Sequence, residues 1–267
     1  MVRARLIATL LIAAFALSAG ACGGDSEAEP QAATTSTATS ATSDEASTDG
    51  SAQEQINAED QAFAKSVVFQ PADFPSGWRE ETEDNGDEDI FEACGISLSD
   101  FTVTGRADSP DFARGEATLA TSFAAVFQPE AEAEQAFALV SGDEATACFQ
   151  RYLEAQGPSA EGVSVKDVSV GTLSFPSIGD ESAATRIVLT LEAEPDFGGD
   201  PVEIATYTDL IWIRQANAVA GLVFFDVRTP FPDFEKEQLA TDVAERMGAD
   251  VDEVPTGTGA DGETGLS

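Results

Sequence analysis

The chain has 267 residues, of which 49 are acidic and 13 are basic, and its formal net charge at pH 7 is −36. Such a surface repels nucleic acid and anionic lipid headgroups, so nucleic-acid binding is excluded. The chain also has no histidine. That absence excludes Ser-His-Asp and Cys-His catalysis and zinc sites that need histidine. We therefore expect neither an enzyme activity nor a cofactor.

The N-terminus has the layout of an export signal. Arg3 and Arg5 precede an uncharged apolar run over residues 6–17, which ends in small residues directly before Cys22. This ending resembles the lipobox of bacterial lipoproteins, in which the cysteine receives a diacylglyceryl group and becomes the first residue after cleavage. Ordinary secretion with a cut at the same bond is the alternative. Lipidation of Cys22 leaves Cys94 and Cys148 as a pair for one disulfide.

Composition divides the chain into four parts. Residues 1–21 form the predicted signal peptide, and residues 22–58 are a tether of Ser, Thr, Ala and acidic residues that is too polar to fold. Residues 59–252 are predicted to form a single α+β domain, and residues 253–267 a disordered tail. The protein is therefore expected on the outer face of the cell membrane, attached by its N-terminal lipid.

The first part of the domain is predicted to contain a short helix near residues 58–68 and a turn rich in proline and glycine. Phe74 and Trp78 in that turn are expected to fold back over one end of the core. The acidic segment that follows has the spacing of a calcium loop, although a solvated acidic loop is the favoured interpretation. The weak calcium candidates are Glu81, Glu83, Asn85, Asp87 and Glu92.

A strand over residues 117–127 and two helices are predicted next. The first helix follows Pro129, and the second begins at Ser141 with Glu144 completing a capping box. Beyond residue 157 the apolar pattern has period two, which predicts strands at 163–172, 184–193, 202–213 and 219–227, the last two joined in a hairpin. A closing helix is predicted after a cap at Pro232-Asp233, with Gly248 as its stop signal. The expected fold is a curved antiparallel sheet of about five to six strands with helices packed on it and one disulfide.

Several short motifs in this order resemble actinobacterial cell-envelope lipoproteins. They are the turn at residues 73–78, the segment 127–137, the cysteine-containing helix, residues 178–180, the hairpin at 211–214 and the terminal helix ending at Met247. They are similar to the extracytoplasmic PknH-type sensor domain and to PsbP-like, LpqN-type proteins. The resemblance implies ligand sensing or binding in a groove between the sheet and the helices, without catalytic residues.

The predicted function is therefore a non-enzymatic, sensor-like accessory module that binds a small apolar or lipid ligand or a cell-envelope protein. Trp78, Trp212 and Phe225 either line an apolar groove or belong to the core. Two alternatives stay open. One is a cell-envelope hydrolase, which requires two carboxylates converging in a cleft, one of them with a raised pKa. The other is a structural partner in a cell-wall complex.

Overall fold

The computed structural model describes residues 56–81, 90–155, 163–193 and 200–248. The predicted signal peptide, Cys22, nearly all of the tether and the tail lie outside these ranges. The helices are α1 (Ala58–Val67), α2 (Ile90–Ala93), α3 (Glu130–Ser141), α4 (Asp143–Ala155) and α5 (Asp233–Arg246). The strands are β1 (Trp78–Glu81), β2 (Val103–Asp108), β3 (Asp111–Arg114), β4 (Thr118–Phe127), β5 (Val163–Thr172), β6 (Glu181–Ala193), β7 (Val202–Gln215) and β8 (Ala218–Val227).

These strands form one open sheet of eight strands in the order β1-β3-β4-β8-β7-β6-β5, and β2 pairs with β4 beside β3. All the pairings are antiparallel. The predicted mixture of helices and an antiparallel sheet is confirmed, but the expected five to six strands were too few. The strands that were missed, β1, β2 and β3, have only four to six residues. Such short segments show too little alternation to stand out from a loop.

The long strands follow the predicted pattern. In β6, Ile187, Leu189 and Leu191 are buried on one face, as their period of two requires. Strands β7 and β8 lie near the middle of the sheet and are buried on both faces over most of their length. They are joined by a hairpin in which Ala216 has a φ of 49°.

The helices cover the two faces of the sheet separately. Helices α1 and α5 pack on one face together with Phe224 and Ile211. Helices α2, α3 and α4 pack on the other face together with Leu210 and Trp212. We call these the α1/α5 face and the α3/α4 face.

The boundary between α3 and α4 differs from the prediction. Ser141 is the last residue of α3, and its hydroxyl donates to the carbonyl oxygen of Phe137 at 2.7 Å. Helix α4 begins only at Asp143, after Gly142. Ser141 therefore closes one helix instead of capping the next, because its hydroxyl is used within its own turn.

The predicted disulfide is present. Cys94 follows α2 and bonds Cys148 in the middle of α4, with the two Cα atoms 5.8 Å apart. The bond closes a sequence separation of 54 residues. It therefore ties α2 to the α3/α4 face, where the Phe91 ring packs edge-on against both Phe149 and Trp212.

A candidate ligand-binding face of the sheet

The sheet separates Trp78, Trp212 and Phe225, the three aromatic residues for which the sequence leaves groove lining and core packing both open. Trp78 packs with the cluster of the α1/α5 face. Trp212 belongs to the cluster of the α3/α4 face. Phe225 shares that second face, because it lies four residues along β8 from Gly221, the partner of Trp212. Trp212 and Phe225 thus share the α3/α4 face, where both are buried, while Trp78 lies on the other side.

Trp78 covers the margin of the α1/α5 face, as predicted. Its ring lies 4.8 Å from the Phe74 ring and 6.0 Å from the Phe231 ring, measured between centroids. The guanidinium of Arg114 lies 4.8 Å from the Trp78 ring centroid, which is a cation–π contact. Arg114 also binds both carboxylate oxygens of Glu235 in α5. These contacts fix the outer strands β1 and β3 to α5.

Trp212 lies at the centre of an aromatic group on the α3/α4 face. Its ring packs edge-on against Phe91 and Phe123, at centroid distances of 5.7 Å and 5.2 Å. Gly221 provides the space for this packing, since a Cβ atom there would come within 2.1 Å of the Phe123 ring. The Trp212 indole nitrogen Nε1 is buried and has no hydrogen-bond partner among the described residues.

Phe225 belongs to a different part of the same face. It is fully buried and pairs across the sheet with Leu119, and Val227 packs beside them. These residues form an apolar cluster of their own, which contains no side chain of the described helices α3 and α4. Helices α3 and α4 thus pack over Trp212, and their buried side chains are not part of the cluster around Phe225.

Two threonines of β7 lie in this part of the face. Thr208 pairs with Phe225 on one side and Ile187 on the other, and Thr206 pairs with Val227 and Leu189. Both threonines are buried, and neither hydroxyl has a hydrogen-bond partner among the described residues. We call this group the threonine patch, which consists of Thr206, Thr208 and the apolar side chains of Leu119, Ile187, Leu189, Phe225 and Val227.

The unpaired hydroxyls are energetically expensive. A buried polar group without a partner costs about 1–3 kcal/mol. Valine has the same shape as threonine without the hydroxyl, and it is equally suited to a strand. Every neighbour of the pair in the threonine patch is apolar. Thr206 and Thr208 therefore lower the stability of the fold, because their hydroxyls make no hydrogen bond to a described residue. Such a cost is expected where a ligand supplies the hydrogen-bond partner.

Sequence reasoning did not single out these threonines, although a signal exists. In β7, Thr206 and Thr208 are in phase with Leu210 and Trp212, so they had to point to the same buried face. Two polar residues in phase with a buried run indicate either internal hydrogen bonds or a ligand. Only the structure shows that no described residue bonds to them.

The α1/α5 face contains a second buried polar group, formed by Asp209, Lys236 and Arg186. The Asp209 carboxylate accepts from Arg186 Nε and Nη2 at 2.6 Å and 2.8 Å and from Lys236 Nζ. Asp209 and Lys236 are each only 1% exposed. Lys236 Nζ also lies 2.8 Å from Asp233 at the start of α5, and this hydrogen bond lowers the pKa of Asp233. Every charge in the group is paired, so it joins β6 and β7 to α5 as a structural network.

Three described carboxylates have a raised pKa. Burial raises the pKa of Asp226, whose carboxylate accepts from Thr118 Oγ1 on the α1/α5 face. Desolvation also raises the pKa of Asp108, at the end of β2 on the opposite face, and that of Asp242 on α5. These three acids lie on three different elements. The charges of Asp73 and Glu245 add to the rise in the pKa of Asp242, so Asp73 and Asp242 lie near each other on different elements. Both carboxylate oxygens of Asp73 are bound by Arg246, so Asp73 is part of an ion pair between α5 and the turn at residues 71–73.

The calcium candidates lie largely outside the described residues. Glu83, Asn85 and Asp87 are outside them, whereas Glu81 ends β1 and pairs with Arg79 at 2.5 Å, and Glu92 is in α2. In the described part of the chain, no three Cys, Asp or Glu side chains are grouped as metal ligands would be.

Among the described helices, none combines the length and the apolar character that a bilayer span requires. No family model and no curated protein matches this chain. Among solved structures, the chain is similar to a protein of unknown function from Pseudomonas aeruginosa, PA94, at 14% identity. The match covers 57% of this chain and 83% of that one with a TM-score of 0.19, a value too low to support an argument about fold or function.

Proposed function

We propose that this protein is a lipid-anchored binding module on the outer face of the cell membrane, which takes up a small apolar or lipid ligand on the α3/α4 face. The observation that carries the proposal is the threonine patch, where apolar and mostly buried side chains surround two hydroxyls that have no partner in the described part of the chain. Ligand sites in proteins have this composition, with mostly apolar walls and a few polar groups that fix orientation.

The membrane anchor in this proposal rests on the sequence alone. Cys22 stands behind an apolar run and small residues in the arrangement of a lipobox, and two acyl chains are enough for stable attachment. The tether of about 35 residues then gives the domain a reach of roughly 30–35 Å from the membrane. A domain held at this distance can meet lipids or proteins of the cell envelope.

Intact mass measurement of the mature protein tests the anchor. We expect the chain to begin at Cys22 and to carry the added mass of a diacylglyceryl group. The Cys22→Ala variant is the matched control, because Ala19-Gly20-Ala21 still offers a site for ordinary secretion. It should move from the membrane fraction to the medium. An unmodified Cys22 in the wild-type protein would contradict the anchor.

Mass spectrometry of an organic extract tests the binding function. The exported Cys22→Ala protein has no lipid of its own, so any lipid that it retains through purification is bound by the fold. We expect about one molecule of an apolar compound per chain. Protein that is free of such compounds, both as isolated and after incubation with a lipid extract of the membrane, would contradict the binding function.

A further inference from the structure

We propose that the ligand of the threonine patch is a lipid whose polar part is uncharged and carries oxygen atoms, such as a monoacylglycerol or diacylglycerol. The hydroxyls of Thr206 and Thr208 bind these oxygen atoms. This inference rests on the proposed function, and it adds the chemical class of the ligand and the residues that select it.

The two hydroxyls define where the polar part of the ligand lies. Thr206 and Thr208 are two residues apart in one strand and point to the same face, so their Cβ atoms are about 6–7 Å apart. Each hydroxyl can donate one hydrogen bond and accept others. Two neighbouring ester or hydroxyl oxygens of a glycerol unit match such a pair, whereas a plain hydrocarbon leaves both hydroxyls unpaired.

The apolar side chains of the threonine patch define where the hydrocarbon lies. Phe225, Leu119 and Val227 extend from the threonines toward β4, and Ile187 and Leu189 extend toward β5. The apolar side chains of α3 and α4 pack on the cluster of Trp212, not on that of Leu119 and Phe225. Ile187 and Leu189 belong to the cluster of Trp212. An acyl chain that runs from the threonines over Leu119, Phe225 and Val227 therefore does not have to displace either helix.

Charge excludes a fatty acid anion as the preferred ligand. No residue of the threonine patch is charged, and Arg186, which projects from β6, lies on the opposite face, bonded to Asp209. Arg214 lies on the α3/α4 face near the other end of β7, where it bonds Glu181 at 2.6 Å. Arg228 follows Val227 at the end of β8 and is exposed, so a carboxylate buried at Thr208 would have no buried counter-ion among the described residues. The net charge of −36 also repels anions on approach.

A competition experiment on the full mature chain tests the inference. The lipidated protein in a non-ionic detergent is incubated with equal amounts of 1-monooleoylglycerol and oleate, purified again and extracted for mass spectrometry. We expect 1-monooleoylglycerol to be retained in preference to oleate. The Cys22→Ala protein is assayed in parallel, and it should give the same result, which shows that the lipid is taken from solution and not from the anchor.

The variant Thr206→Val/Thr208→Val removes both hydroxyls and keeps the shape. We expect it to bind 1-monooleoylglycerol about 30-fold more weakly, which corresponds to two hydrogen bonds. At the same time, its melting temperature without ligand should rise, because the unpaired hydroxyls are gone. Thr206→Ser/Thr208→Ser should restore most of the binding. Thr190→Val, on the opposite face of β6, is the control and should bind as the wild type does.

The outcomes separate this inference from the proposed function. If the valine variant binds 1-monooleoylglycerol as well as the wild type does, the threonines do not select the ligand, although the protein still binds lipid. If oleate is retained in preference, the assignment of an uncharged ligand is wrong. If the wild-type protein retains neither probe and no compound from a membrane lipid extract, both the inference and the proposed function are wrong.

Discussion

Both faces of the sheet bury paired polar side chains, among them Arg214 on the α3/α4 face, but only the α3/α4 face has two neighbouring buried hydroxyls that lack partners among the described residues. On the α1/α5 face, Asp209 and Lys236 are bonded to each other and to a further partner each, Arg186 and Asp233. On the α3/α4 face, Thr206 and Thr208 have no partner among the described residues. Polar groups that hold a fold together are paired within it, since an unpaired one costs stability. This contrast indicates a structural role for the buried polar groups of the first face and supports our proposal that the second face binds a ligand.

Two atoms on the α1/α5 side depart from this pattern. Trp78 Nε1 and Arg246 Nε are buried without partners in the described part of the chain. Arg246 is nevertheless well bonded, because its Nη1 and Nη2 atoms bind the two oxygens of Asp73 at 2.8 Å and 3.0 Å. Trp78 lies at the margin of the sheet and is only partly buried as a residue. Neither atom belongs to a group of unpaired neighbours such as the threonine pair.

The faces also differ in how their helices are attached. Helix α5 is joined to the sheet by ion pairs, from Lys236 to Asp209 and from Glu235 to Arg114. On the other face, a covalent bond from Cys94 to Cys148 joins α2 to α4. The following predictions test this contrast.

Asp209→Ala should cause the largest loss of stability. It leaves the ammonium group of Lys236 buried beneath α5, and breaking one partner of a buried ion pair costs about 3–5 kcal/mol. Urea unfolding measures the change. Asp233→Ala is the control, because the side chain of Asp233 is 79% exposed and its loss should cost less than about 1 kcal/mol. Equal effects of the two substitutions would contradict a buried network centred on Asp209.

Replacing both cysteines of the disulfide by alanine should have the next largest effect. The bond closes a separation of 54 residues, and the chain-entropy model gives about 4 kcal/mol for a loop of this size. Amide hydrogen exchange should rise in α2 and α4 and change little in α5. A reducing agent should destabilise the wild type and leave the double variant unaffected. Faster exchange in α5 as well would show that the two faces do not open independently.

Gln150→Ala should lower the free energy of unfolding by about 1 kcal/mol and expose a strand edge through which two molecules can associate. Gln150 in α4 donates to the Val168 carbonyl oxygen at 3.0 Å and accepts from the Val170 N–H at 3.2 Å, so it occupies backbone groups of the outer strand β5. Unfolding in urea and light scattering measure stability and association. Glu154→Ala, which removes only an exposed partner of Gln150, is the control and should not associate.

Asp226→Asn should have the smallest effect, within about 0.5 kcal/mol. Burial raises the pKa of Asp226 in the folded protein above its unfolded value, so ionisation of Asp226 destabilises the fold. This penalty builds up as the pH rises from the unfolded pKa to the raised folded pKa. The variant should therefore be slightly more stable than the wild type at pH 7. The difference should shrink as the pH falls towards about 4, the unfolded pKa. Thermal unfolding at a series of pH values measures it. A difference that does not change with pH would indicate that Thr118, not the charge, determines the effect.

The sequence predicted the strands in which the pattern of apolar residues is long enough to distinguish a strand from a loop. The alternation of Ile187, Leu189 and Leu191 located β6, and the apolar runs at residues 210–213 and 222–225 identified two central strands. The number of cysteines predicted the disulfide between Cys94 and Cys148. Strands β1, β2 and β3 were missed because four to six residues do not complete a recognisable pattern.

The candidate site depended more strongly on the tertiary structure. Period two shows that Thr206, Thr208, Leu210 and Trp212 share a face, but not which residues lie beside them on the neighbouring strands. The strand pairing places Thr208 between Phe225 and Ile187. The tertiary structure also places Trp78 on the opposite face. The contact between Asp209 and Lys236 likewise joins residues 27 positions apart. Local pattern thus determined which residues are buried and in what phase. Only the non-local pairing of strands and helices determined whether a buried polar group has a partner, because that partner comes from a distant part of the chain.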